Sequence, residues 1–78
     1  MHGYFLKNSN GEFLETLDTA NEKITFTKNV KKARNYIGRP GGGRWDADNE
    51  REFIIFHFQD EYKDKVTTLE CTYEEWDE

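Results

Sequence analysis

The amino-acid sequence predicts an α+β fold: a mostly antiparallel sheet of four to five strands with one helix packed on one face. Two observations carry this. Short β-type runs are separated by clusters of turn formers, and one segment places apolar residues at helical spacing. A third makes the fold feasible in 78 residues. Aromatic side chains make up 15% of the chain, and each buries a large area, so a few suffice for a thin core. A single domain over 1–78 is expected, with 74–78 as an acidic tail.

The elements follow in order. "GYFLK" and "EFLETL" flank "NSNG", where Gly11 is free to take positive φ, so a hairpin is predicted. A two-residue Asn-Gly turn would set Leu6 against Glu15. A four-residue Asn8–Gly11 loop sets Leu6 against Phe13 and Lys7 against Glu12, which are better cross-strand pairs, and is preferred. "KITFT" is short and β-branched, an edge or connecting strand.

The expected helix covers about residues 28–37. Thr27 or Asn29 can cap it, Val30, Ala33 and Ile37 share one face, and Gly38 with Pro40 stops it. "REFIIFHFQ" is apolar on both alternating faces, as a central strand would be. After the turn "DEYKD", "KVTTLECTY" returns as a strand. The core is then expected from Val30, Ala33 and Ile37 on Leu6, Phe13, Phe53 or Phe56, Leu69 and Cys71.

Charge divides the chain into blocks. Net charge is −5, but residues 23–44 carry seven bases and no acid, while the flanking blocks sum to −3 and −9. One cysteine excludes an intrachain disulfide and a four-cysteine zinc site. No signal-peptide pattern and no run of about 20 apolar residues is present, so a soluble cytoplasmic protein without a membrane partner is expected. Its oligomeric state would be a monomer or weak homodimer.

The motifs that suggest chemistry fail on order or spacing. In "GRPGGGRW" (38–45) the expected helix precedes the glycines and no Lys-Ser or Lys-Thr follows, unlike a phosphate-binding loop. The segment reads as a flexible connector whose Trp45 packs on the domain. "GYF" and "YIG" resemble the paired motifs of GIY-YIG endonucleases, but lie far apart in the chain. Asp46, Asp48 and Glu50 begin like a calcium loop, yet Arg51 stands where the turn glycine belongs and His57 where a bidentate Glu belongs, so a solvated acidic loop is expected. Cys71 and His57 could meet on adjacent strands, but nothing local activates the thiol. No catalytic residue, metal or cofactor is expected, and the protein is read as non-enzymatic.

Two binding surfaces remain. One is a contact with a partner protein through Trp45, Asp46, Asp48, Glu74, Glu75 and Trp76, where carboxylates meet a basic cleft and tryptophan anchors the contact. The other is a nucleic-acid surface of Lys28, Lys31, Lys32, Arg34, Arg39, Arg44 and Trp45.

The hairpin with "NGEFLETL", the segment "FTKNVKKARNYIG" and the acidic end resemble small accessory proteins of bacteriophages and prophages of Gram-positive bacteria, over roughly residues 4–38. Some proteins of that size inhibit host defence or nucleic-acid enzymes, including as anti-CRISPR proteins, and acidic mimicry of DNA is one route. The resemblance implies a protein-binding role against such a partner.

Overall fold

A computed structural model of the chain describes residues 1–77. Its elements are β1 (His2–Lys7), β2 (Phe13–Asp18), β3 (Lys23–Thr27), a 3-10 turn at Val30–Lys32, α1 (Arg44–Val66) and β4 (Glu70–Glu75). The strands form one antiparallel sheet in the order β3-β2-β1-β4. The fold class is the expected α+β, with one α-helix on a four-stranded sheet.

Two elements exchange places with the expectation. The segment read as a central strand lies inside α1, as do the expected turn "DEYKD" and the first two residues of "KVTTLECTY", whose strand begins only at Glu70. The segment read as the helix is a single 3-10 turn followed by extended chain. The reason is visible in the backbone hydrogen bonds. β1 and β2 pair at Lys7–Phe13 and then separate. Residues 34–36 fill the gap: the Arg34 N–H donates to the Leu14 carbonyl and the Tyr36 N–H to the Tyr4 carbonyl, each at 2.9 Å. A helix would turn those amides inward along its own axis and leave the strands unsatisfied. Asn29 caps the short turn through the Lys31 N–H, and Ala33 is already extended. Val30 and Ala33 are half-buried and Ile37 is exposed, so the expected apolar face does not form.

The glycine run is also corrected. It is the structured entrance to α1 rather than a slack connector. Gly42 and Gly43 adopt φ of +91 and +83, a region open to glycine, which turn the chain into the helix. The Asp46 carboxylate reaches back to accept the N–H groups of Gly41 and Gly43 at 3.0 and 3.4 Å. An acid in the first turn satisfies otherwise orphaned donors and favours the helix dipole.

The hairpin register differs by one from the preferred reading, with Lys7 opposite Phe13. Asn8 is the cause. It is buried, and its Oδ1 accepts from the N–H groups of both Asn10 and Glu12 at 3.0 Å. That draws Glu12 into the turn. An irregularity between Leu14 and Thr16 then lets Leu14 and Leu17 share the helix side.

The core lies between α1 and this side of the sheet. Leu6, Leu14, Ile24 and Tyr36 meet Ala47, Ile54, Phe58 and Val66, with Leu69 beside them and Cys71 packed at the margin. Phe53 and Phe56, expected in the core, are outside it. Phe13 is buried on the opposite sheet face, edge-on to Phe5, which also meets Trp76. No helix among the described residues is long and apolar enough to cross a membrane.

Candidate protein-binding surface

At 3.6 residues per turn, Ala47, Ile54 and Phe58 fall on one side of α1 and are its buried residues in this stretch. The same spacing sends Trp45 and Phe56 to the opposite side, where they are 64% and 74% exposed. They lie about 16 Å apart along the axis. Phe53, at the edge of this stripe, is 39% exposed, and the His57 ring sits 4.2 Å from it and 5.2 Å from Phe56. A recess of about 180 Å³ lined by Thr19, Glu22, Phe53, His57 and Phe58 opens beside them.

Local structure holds the first anchor in place. A Cβ at Gly41 would collide with the Trp45 ring, so the indole lies directly on the glycine backbone while its other side faces solvent. Asp48, Glu52 and Asp60 are exposed around the stripe. Glu52 pairs with Arg51 at 3.2 Å, whereas Asp48 and Asp60 have no ion-pair partner among the described residues.

The six residues expected to contact a partner are not brought together. Trp45 and Asp48 belong to the exposed side of α1, but Trp45 does not pack into the domain as expected. Asp46 is occupied as the helix cap. Glu74 and Glu75 lie in β4 rather than in a trailing segment, and half-buried Trp76 rests on Phe5 on the far sheet face. Glu78 lies outside the described residues. Sequence reasoning missed Phe53, Phe56, Glu52 and Asp60. The signal was present: an acid capping a glycine turn, then Ala47, Ile54 and Phe58 at intervals of seven and four.

The basic set is likewise divided. Glu50, on α1, accepts from the Arg34 Nε at 2.5 Å and the Tyr36 hydroxyl at 2.9 Å, with the Arg39 guanidinium at 3.9 Å. Both guanidiniums lie over the Tyr36 ring, at 5.7 and 5.1 Å. Burial pushes the Tyr36 phenol well above the ordinary tyrosine value, and the Glu50 carboxylate pushes the same way. Burial opposes the charge on Arg34, but the bond and charge of Glu50 outweigh it and hold that guanidinium's pKa up. Arg44 lies 5.7 Å over the Tyr4 ring, and Lys28, Lys31 and Lys32 remain exposed around the 3-10 turn.

The acidic stretch expected as a solvated loop is the first turns of α1, with Asp46 and Glu50 both engaged. No group of three metal-binding side chains occurs among the described residues. His57 stands on α1 and Cys71 on β4, so the adjacent-strand pairing does not arise. Burial raises the Cys71 thiol, as does nearby Asp48, with Arg44 opposing. Compared with family models, with curated proteins and with solved structures, the chain matches none.

Proposed function

We propose that this chain is a protein-binding module, of the phage accessory type, that docks a basic surface of a partner through the outward side of α1. One observation carries the reading: three aromatic side chains stand exposed on a helix whose opposite side already supplies the core. Such side chains gain most when a partner covers them, and aromatic residues dominate the energetic centres of interfaces. The carboxylates of Asp48, Glu52 and Asp60 form a rim that favours a basic partner and speeds encounter. Proteins that handle nucleic acid present basic clefts, and an inhibitor of one would need such a rim.

The test compares wild type with the Trp45→Ala/Phe56→Ala double variant, both immobilised and challenged with host lysate, followed by affinity measurement on the purified captured protein. A basic partner should bind the wild type, weaken with added salt, and lose roughly a hundredfold on the double substitution, as paired hot-spot residues do. A partner that binds both forms equally removes α1 as the contact surface.

A further inference from the structure

We propose that the free edge of β4 is a second docking site, which takes an extended basic segment of a partner as a fifth strand. This does not rest on the reading of α1 above. β4 closes the sheet on one side, paired with β1 along its whole length. Met1 and Trp76 exchange both of their backbone hydrogen bonds at 3.0 Å. Antiparallel pairing alternates, so Gly3–Glu74, Phe5–Thr72 and Lys7–Glu70 are the bonded pairs that follow. Cys71, Tyr73 and Glu75 therefore direct their backbone N–H and C=O groups away from β1. No described residue bonds to them. The strand contains neither a proline nor a bulge, so its outward backbone groups stay open to pairing, and its three glutamates are the feature that guards the edge against a like-charged strand.

The edge also has a wall. A shallow, open cleft of about 450 Å³ lies between α1 and β4, bordered by Arg44, Asp48, Arg51 and Glu52 from the helix and by Glu70 and Cys71 from the strand. A strand added to β4 would place alternate side chains in this cleft and the others along Thr72 and Glu74 on the opposite sheet face, with Glu70, at the start of β4, bordering both.

Charge selects the occupant. Asp48, Glu70 and Glu74 have no ion-pair partner among the described residues. Of the two arginines of the cleft, Arg51 donates to the Leu69 carbonyl and to Glu52, while Arg44 lies over the Tyr4 ring without an ion-pair partner among the described residues, so one free guanidinium stands against those three carboxylates. Two copies joined through β4 would bring Glu70 and Glu74 of each close to those of the other, which disfavours self-pairing. A lysine- or arginine-bearing segment meets the opposite situation.

The experiment titrates the isotope-labelled chain with a short capped peptide of alternating lysine and valine. Two controls accompany it, one with every backbone amide N-methylated, so that neither edge can donate, and one with glutamate for lysine. The lysine–valine peptide should slow amide hydrogen exchange at Cys71, Tyr73 and Glu75. The glutamate form should bind roughly tenfold more weakly, as two lost cross-strand charge pairs imply. The N-methyl form should not bind. Tyr73→Pro removes one outward donor without touching a β1 bond, a change that edge strands tolerate, and should abolish binding. The Glu70→Gln/Glu74→Gln double variant, which leaves the backbone intact, should weaken binding severalfold and flatten its salt dependence. Equal binding of the N-methyl peptide overturns the proposal, as does protection on β3 instead of β4. Concentration-dependent protection of β4 without peptide also overturns it, because the edge would then belong to a second copy.

Discussion

Tyr36 shows how one side chain organises the middle of the chain. Its ring is fully buried, yet its hydroxyl reaches Glu50, which also holds Arg34 and Arg39. The arrangement joins the extended segment between β1 and β2 to α1, and it consumes two of the seven bases that suggested a nucleic-acid surface. It also carries a pH dependence whose direction follows from the raised phenol. Below the ordinary tyrosine value of about 10, folded and unfolded chains both keep the proton and the Tyr36 contribution is complete. Above that value the unfolded chain gains by ionising while the folded one does not, so stability is lost as pH rises through the window up to the folded value. In urea unfolding between neutral pH and pH 11, the advantage of wild type over Tyr36→Phe should shrink above pH 10, by at most about 1.4 kcal/mol per pH unit. Parallel curves for the two proteins would show that the phenol does not titrate with unfolding.

At the scale of elements, β1, β2 and β3 were legible in the sequence and the helix was not. Turn formers around "NSNG" and the β-branched "KITFT" report local conformations that tertiary structure leaves in place. "REFIIFHFQ" misleads because its apolar residues exceed what the core uses. Only Ile54 and Phe58 are buried there, while Phe53 and Phe56 face outward, so a surplus of exposed aromatics imitates the two-sided apolar pattern of a central strand. The surplus that hid the helix is the same feature that marks the candidate surface. The lysine-rich segment misleads in the other direction, since its helical spacing yields to the backbone bonds needed between β1 and β2. A pair of substitutions separates the two arrangements. On a strand Ile54 and Phe56 would share a face; on α1 they are opposed. Ile54→Ala should cost roughly 2–5 kcal/mol, as a buried large-to-small change does. Phe56→Ala should stay within about 0.5 kcal/mol, since its ring is largely in solvent. Chemical denaturation of both variants measures this, and similar losses would favour the strand.

For the whole molecule, the alternation of charge along the sequence does not become an equal alternation on the surface. Glu50 draws Arg34 and Arg39 together beside Tyr36, and Arg44 stands apart over Tyr4, next to Asp48 and Glu52. What remains of the basic block near the 3-10 turn is Lys28, Lys31 and Lys32, on a protein of net charge −5. Three lysines can displace only a few counterions, and affinity gained that way falls by close to the first power of salt for each phosphate neutralised. The surrounding negative field opposes even this. Labelled single- and double-stranded oligonucleotides should therefore show no change in fluorescence anisotropy at near-physiological salt. Any binding at low salt should disappear on raising it, and Lys28→Ala/Lys31→Ala/Lys32→Ala should remove it altogether. Binding that survives at near-physiological salt and is lost in the triple variant would move the functional surface from α1 to the turn. The partner would then be nucleic acid rather than a protein that handles it.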